Sequence, residues 1–249
     1  MLHFRFTDSI LSIPETHDTK VVAKMRQEWL TAVGNELTKS GQPARYVVKC
    51  AFDDPDINSL LNCIFANSSH LARLANLDPT FVCNLLLEGA DATLNNIFAK
   101  LEQKTEEFIN NDQLGYFLRV AKQQIALTVA FADIAGIWSL EKVTDELSNF
   151  ACLALDIAAA HLIRRYAERG AFELQDADNP LINSGLIIIG MGKLGARELN
   201  YSSDIDLIIL YDTNRINTLE PHLLQTNFVR LTRDLLTLMH ERTPDGYVF

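Results

Sequence analysis

The sequence predicts an α+β protein, with an all-helical domain at residues 1–175 followed by an α/β domain with a mixed sheet at residues 176–249. Two observations support this class. Up to about Arg169, apolar residues recur at intervals of three and four, which is typical of amphipathic helices packed on one another. Beyond Gly185 they form short β-branched runs, which are typical of buried strands. The polar segment 175–180 separates the two patterns and is predicted to be a linker.

Seven helices are predicted in the helical domain. The clearest one starts after Ser139, a good N-cap, and continues to about Tyr166 with its apolar residues on one face. Another covers residues 114–135, and Gly136 marks its end. The shorter helices are predicted at residues 19–37, 56–67, 69–75, 80–87 and 90–108.

The α/β domain is predicted from two apolar runs and a helix. Residues 186–189 and 205–211 are rich in isoleucine and leucine and are short enough to be buried strands. An amphipathic helix is predicted at about residues 219–240, and residues 247–249 are expected to open a third strand. Because a strand of three residues is incomplete, the chain is expected to be truncated within this element.

The composition and net charge exclude several classes of function. The chain has 249 residues, and its 22 Lys and Arg against 32 Asp and Glu give a net charge of −10. A protein with this charge is not expected to bind a nucleic-acid backbone, which requires a basic face. The four cysteines are not spaced as the ligands of a metal site are. The N-terminal residues do not resemble a secretory signal sequence, and no apolar stretch reaches the roughly 20 residues that span a bilayer. We therefore expect a reduced, cytoplasmic protein with no membrane partner.

The segment at residues 190–206 carries the candidate chemistry. It follows the first predicted strand and ends in Asp204 and Asp206, which flank Ile205. Alternate residues of a strand point to the same side, so both carboxylates are predicted to project together while Ile205 enters the core. Two like charges this close are costly unless a divalent cation neutralises them. The pair is therefore predicted to be catalytic and to bind Mg²⁺ in a nucleotidyl-transfer site.

A glycine-rich turn precedes the two acids. At Gly190 and Gly192 no Cβ hinders backbone N–H groups from approaching phosphate oxygens, so both are predicted to bind nucleotide or phosphate. The eleven residues between Gly192 and Asp204 leave room for a short helical turn that folds the glycines over the carboxylates. The side chains predicted to extend this phosphate cradle are Lys193 and Ser203, with Arg197 and Ser202 as further candidates.

Three other interpretations compete with that one. Gly190, Gly192 and Gly195 follow the spacing of a dinucleotide-binding fingerprint, but about eight residues separate Gly195 from the next strand, fewer than a βαβ crossover needs. A P-loop requires serine or threonine after its lysine, and Leu194 follows Lys193. The third interpretation is a pair of exposed acids without chemistry. It is weakened because strand, glycine turn and acids occur in the order that nucleotidyl transfer requires.

At these residues the sequence resembles a known family. The run GMGKLGARELNYSSDIDLI, which starts at Gly190, closely resembles the motif of the bacterial glutamine synthetase adenylyltransferase/adenylyl-removing enzymes, a family of the DNA polymerase beta-type nucleotidyltransferase superfamily. Other landmarks extend the resemblance to roughly the whole chain, and they lie at residues 118–119, 133–136, 147–148 and 243–249. The resemblance therefore implies a nucleotidyltransferase fold for residues 176–249.

The resemblance also implies an activity. Members of the family join two transferase units by a regulatory helical region. The N-terminal unit removes AMP from glutamine synthetase by phosphorolysis, and the C-terminal unit attaches it from ATP. Asn200 before the tyrosine and Ile205 between the acids resemble the N-terminal copy, since the other copy typically has glycine and leucine there. The chain is thus identified as part of an adenylyl-removing unit.

The resemblance implies the partners and the cofactor as well. These are glutamine synthetase as the protein substrate, phosphate and ADP or ATP, Mg²⁺ at Asp204 and Asp206, and a PII-type signalling protein in the full-length enzyme. A third metal-binding carboxylate is expected beyond Phe249, so the 249-residue chain alone is predicted to be inactive or nearly so. Two alternatives stay open: the adenylylating half that uses ATP, and a catalytically dead fragment that binds glutamine synthetase as a helical module.

Overall fold

The structure is a computed structural model that describes most of the chain. The described residues are 2–15, 19–34, 36–103, 110–218 and 220–249. By packing, they form two compact units. One comprises the described residues within Met1–Phe98 and Gln123–Val143, and the other comprises those within Ala99–Lys122 and Thr144–Phe249. The predicted division into domains after residue 175 stays a prediction.

Within the described residues the chain is mostly helical and has one small sheet, as expected for an α+β protein. The helices are α1 (Thr19–Ala32), α2 (Ala44–Asp53), α3 (Pro55–Asn67), α4 (Ser69–Leu77), α5 (Pro79–Glu88), α6 (Ala90–Gln103), α7 (Asn111–Ile134), α8 (Leu140–Glu168), α9 (Gly192–Gly195) and α10 (Leu224–His240). The strands are β1 (Leu186–Gly190) and β2 (Leu207–Tyr211), and two 3₁₀ turns lie at Arg5–Ser9 and Pro221–Leu223.

The helices predicted for the N-terminal part are present as α1 and α3 to α8, with ends that shift by a few residues. α1 ends at Ala32 rather than at residue 37, because Leu37 forms a β-bridge with Pro43. α6 is described as far as Gln103, and its predicted end at 104–108 lies outside the described residues. The sequence prediction misses α2, a short helix whose buried residues share one face.

Single polar residues join the helices from α2 to α5 and explain why four short helices form there. Asp54, Ser68 and Asp78 each end one helix and cap the next. The Asp54 side chain accepts hydrogen bonds from the N–H groups of Asp56 and Ile57 at 3.1 and 3.0 Å. Ser68 and Asp78 each accept one from the third residue of the following helix, at 3.2 and 2.9 Å. Caps of this kind stabilise a helix by about 1 kcal/mol each.

Helix α8 is the apolar helix of the second half of the chain. Among the described residues it alone is long and apolar enough to cross a membrane by length and composition, but 67% of its most apolar window is buried within the protein. Such burial is typical of a core helix. Its predicted N-cap is confirmed, since Ser139 Oγ accepts a hydrogen bond from the Lys142 N–H at 3.3 Å.

Strands β1 and β2 pair antiparallel, so the predicted mixed sheet is wrong for the described residues. In the observed register Leu186 lies opposite Tyr211, and Gly190 lies opposite Leu207. The connection between the strands, residues 191–206, is short. The antiparallel pairing is set by the register of the two strands rather than by the length of this connection.

The C-terminal segment does not form the predicted third strand. The N–H groups of Val248 and Phe249 both donate to the carbonyl oxygen of Met239, in the last turn of α10, at 3.2 and 2.9 Å. These donors satisfy a helix end and are therefore not available to a strand ladder. α10 itself begins at Leu224, and the predicted start at residue 219 lies outside the described residues.

Lys122 on α7 packs against aromatic rings of that C-terminal segment. Its Nζ lies 4.5 Å from the ring centroid of Tyr247 and 4.5 Å from that of Phe249. Burial lowers the pKa of Lys122 to about 8, because the charged ammonium loses contact with water. The two ring faces attract the ammonium and offset part of this penalty.

Replacing Lys122 with methionine is expected to stabilise the protein at neutral pH. The shift from 10.5 to about 8 corresponds to about 3 kcal/mol, and the lost ring contacts and residual exposure reduce the net gain to about 1–2 kcal/mol. In the wild type, the free energy of unfolding should rise between pH 8 and 10.5, because only the unfolded chain still holds the proton there.

Urea unfolding at neutral pH and at about pH 10 measures this effect. The matched control is Lys100→Met, because Lys100 is exposed on α6. Lys122→Met should be more stable than the wild type at neutral pH and should lack part of the rise with pH. Equal stability and equal pH dependence in Lys122→Met and wild type would contradict the expected cost of burying this ammonium.

Candidate active site

The connection between β1 and β2 brings the glycine turn and the two acids together. β1 ends at Gly190, α9 follows at once, and the chain returns to β2 through residues 196–206. Because Gly190 pairs with Leu207, the two ends of the connection meet. The Met191 N–H continues the ladder by donating to the carbonyl oxygen of Asp206 at 2.8 Å. Asp206 therefore lies directly across from the start of α9.

Asp204 and Asp206 are both exposed, and Ile205 between them is 7% exposed. The predicted alternation is therefore present, although both acids precede β2, which begins at Leu207. In the described part of the chain, neither carboxylate forms an ion pair or a side-chain hydrogen bond with another residue. Both are thus available to a ligand from solvent.

Gly192 brings the backbone of the turn against one of these carboxylates. Its φ is +52°, and a Cβ built on it would lie 3.3 Å from Oδ2 of Asp206. A side chain here would need a rare backbone conformation and would crowd the acid. At Gly195 the constraint is steric, because a Cβ built on this residue would lie 2.6 Å from the carbonyl oxygen of Gly190. The glycines thus allow α9 to pack closely on the end of β1.

The other predicted phosphate-binding residues differ in their surroundings. Lys193, on α9, is exposed. The Ser203 hydroxyl donates to Oδ1 of Asn200 at 2.8 Å and accepts from the Asn200 N–H at 3.1 Å, so it closes the turn that leads to the acids. Gly190 packs against Leu194, whose Cγ would lie 2.9 Å from a Cβ at Gly190. Roles in phosphate binding for Gly190, Lys193 and Ser203 stay predictions.

The Arg197 side chain binds polar side chains of α8. Its Nε donates to Oδ1 of Asp145 at 2.6 Å, and a terminal guanidinium nitrogen bonds to the side-chain oxygen of Asn149. The hydrogen bond to the Asp145 carboxylate raises the pKa of the Arg197 guanidinium. The sequence did not identify Asp145 and Asn149 as partners of Arg197, because the first turns of α8 contain several other polar residues and no local pattern distinguishes these two.

The donor set at the two acids fits Mg²⁺. No group of three or more His, Cys, Asp or Glu residues that could hold a metal is present within the described residues. Mg²⁺ is commonly held through one or two carboxylates, with phosphate oxygens and waters completing its coordination. Two unpaired carboxylates next to a glycine turn match that requirement.

Comparison with known proteins relates the chain to one enzyme class. Residues 58–249 match the family described as glutamate-ammonia ligase adenylyltransferase. Three relatives carry the name bifunctional glutamine synthetase adenylyltransferase/adenylyl-removing enzyme. The protein of Rhodopseudomonas palustris is 32% identical over 95% of this chain and 23% of its own length. That of Rhizobium meliloti is 35% identical over 86% of this chain and 22% of its own length. That of Agrobacterium fabrum is 43% identical over 53% of this chain and 13% of its own length. The chain thus spans about a quarter of the relatives' length or less.

Proposed function

The chain belongs to the glutamate-ammonia ligase adenylyltransferase family, and from this premise we propose that it is part of an adenylyl-removing unit acting on glutamine synthetase. In this reaction phosphate attacks the phosphorus of an adenylylated tyrosine, the bond from phosphorus to the tyrosine oxygen breaks, and ADP and free tyrosine result. The observation that carries the proposal is the pair of unpaired carboxylates, Asp204 and Asp206, beside the glycine turn at Gly192. Asn200 and Ile205 resemble the residues of the N-terminal, adenylyl-removing copy in this family, and this resemblance supports the proposed reaction direction.

The residues of the site have separate tasks in this proposal. Asp204 and Asp206 hold Mg²⁺, which when bound neutralises charge on the attacking and leaving oxygens. The backbone at Gly192 admits the phosphate oxygens of the substrate closely, because no Cβ stands in the way. Gly190 is proposed to contact the same phosphates through its backbone only, since Leu194 packs against its Cα. Lys193 adds a positive charge next to the same phosphates. We propose that residues 176–249 adopt the nucleotidyltransferase fold that this chemistry requires.

The partners follow from the same proposal. Glutamine synthetase is the protein substrate, phosphate and ADP or ATP are the small-molecule partners, and a PII-type signalling protein acts on the longer enzyme. A cytoplasmic location is proposed with them, and the four free cysteines agree with a reducing compartment. The net charge of −10 argues against nucleic acid as a partner.

A product assay separates this function from its alternatives. A longer family protein that contains this sequence is incubated with adenylylated glutamine synthetase, with and without inorganic phosphate. We expect ADP to form only when phosphate is present, because phosphate is the nucleophile. Release of pyrophosphate from ATP on unmodified glutamine synthetase, without phosphate-dependent ADP, would instead identify the adenylylating half.

The same assay on the 249-residue chain tests whether it acts alone. We expect little or no turnover, because the resemblance implies a third metal-binding carboxylate, and no group of three such ligands is present among the described residues. Binding of glutamine synthetase by both proteins, with turnover by neither, would favour the helical binding module over the enzyme.

A further inference from the structure

We propose that Arg197 is a positioning residue, which holds the glycine turn beside Asp206 by binding Asp145 and Asn149 on α8. We call these three residues the Arg197 clamp. The inference rests on the proposed function, since it concerns the geometry of that candidate site. It assigns Arg197 a task other than the phosphate contact that the sequence suggested.

The first support is the set of side-chain contacts of Arg197. Its Nε lies 2.6 Å from Oδ1 of Asp145, and its terminal nitrogen lies 2.5 Å from the same oxygen. That terminal nitrogen also bonds to the side-chain oxygen of Asn149. Asp145 and Asn149 are four residues apart, so they lie on the same face of α8. The guanidinium is therefore held at two points by one rigid element.

A second attachment lies two residues further along the chain. The N–H of Leu199 donates to Oγ of Ser148 at 3.4 Å, and the Ser148 hydroxyl donates in turn to the carbonyl oxygen of Thr144 at 2.7 Å. Ser148 is fully buried, and Leu199 is 1% exposed. Side chain and backbone thus attach the same stretch of the connection to the same two turns of α8.

The backbone of Arg197 itself supports a positioning role. Its φ is +60°, a left-handed conformation that is unfavourable for a residue with a Cβ. In this conformation the N–H groups of Arg197 and Glu198 donate to the carbonyl oxygens of Leu194 and Lys193, at 3.0 and 2.7 Å, and end α9. The contacts with α8 stabilise this otherwise unfavourable turn.

These contacts determine what Arg197 can do for the reaction. Its charge is already paired with Asp145, so it has little left for a substrate phosphate. The turn that it ends begins at Gly192, where a Cβ would lie 3.3 Å from Oδ2 of Asp206. A shift of about 1 Å in a group of this kind is enough to impair a reaction. Holding the turn in place therefore preserves the site.

Three variants of the 249-residue chain separate the side-chain contacts of the Arg197 clamp from the strain of the positive φ at residue 197. Arg197→Gly removes the contacts but accepts the positive φ without strain. Arg197→Lys keeps the charge, and Asp145→Asn removes the negative charge that pairs with it. The matched control is Arg215→Ala, which removes an exposed arginine paired with Asp212 at 3.6 Å in the same unit.

Two measurements are made on each variant: hydrogen exchange of the amides in residues 192–199, and affinity for Mn²⁺ as the probe metal. Arg197→Gly and Asp145→Asn should exchange faster and bind Mn²⁺ about three- to tenfold more weakly. Arg197→Lys should recover part of both properties, and Arg215→Ala should match the wild type.

The outcomes distinguish the clamp from the proposed function. If Arg197→Gly matched the wild type in exchange and in Mn²⁺ affinity, the clamp would be refuted while the metal site stood. If the wild type itself bound no Mn²⁺, the proposed metal site would fail. The exchange rates would still test the Arg197 clamp in that case, because they report how well the amides of the turn are protected without any metal.

Discussion

Asp206→Asn is expected to lower phosphate-dependent release of ADP by about a hundredfold or more in a longer family protein that contains this sequence. The substitution keeps the size of the side chain but removes the charge that holds Mg²⁺. Asp206 is exposed, and its carboxylate forms no side-chain hydrogen bond or ion pair among the described residues, so the change should leave the fold intact. Asp204→Asn should act in the same way, because the second carboxylate of the pair is lost.

Asp178→Asn is the matched control for this pair, since Asp178 is also an exposed acid of the second unit. It should keep wild-type turnover. Circular dichroism and thermal unfolding of all three variants show whether they fold. Wild-type turnover in either Asp204→Asn or Asp206→Asn would remove these acids from the candidate site.

Gly192→Val is expected to impair the use of substrate more than it impairs folding. The valine must adopt a φ near +52°, which costs about 1–2 kcal/mol, and its Cβ would crowd Oδ2 of Asp206 at 3.3 Å. The added side chain also blocks the approach of phosphate to the backbone. We expect the KM for adenylylated glutamine synthetase to rise by about tenfold or more.

Gly170→Val separates backbone strain from crowding of the site. Gly170 has a φ of +77°, and a Cβ there would meet no atom within 4 Å. Both variants should therefore lose similar stability in urea unfolding, and Gly192→Val alone should raise KM. If the two variants changed KM equally, or if Gly192→Val changed stability only, the glycine turn would have a structural role and no role in binding.

Local patterns in the sequence were enough to predict much of the fold. Helix α8 follows from the Ser139 cap and a long apolar face, and β1 follows from a short isoleucine-rich run. The predicted burial of the strands is wrong, however, because Ile187, Ile189 and Ile208 are 44%, 42% and 43% exposed. The exposure of Asp204 and Asp206 around a buried Ile205 follows from the alternation of side chains along an extended chain. In each case, residues that are close in sequence determine the conformation.

What the sequence could not predict depends on contacts between distant residues. Residues 247–249 have high strand propensity, yet their N–H groups bond to Met239, and no local pattern reveals that choice of partner. Arg197 was a reasonable phosphate ligand by charge and position. Its pairing with Asp145, 52 residues earlier in the chain, depends on how α8 packs against the turn.

The single-residue joints between the helices from α2 to α5 restrict how this part of the chain can change in length. Asp54, Ser68 and Asp78 each serve as the end of one helix and the cap of the next. An inserted or deleted residue at a joint would separate the capping side chain from the helix N–H groups that it binds and would displace the following helix. Natural insertions and deletions should therefore avoid these joints and collect in longer connections such as residues 171–185. Alignments of distant family members can use these three joints as reference points.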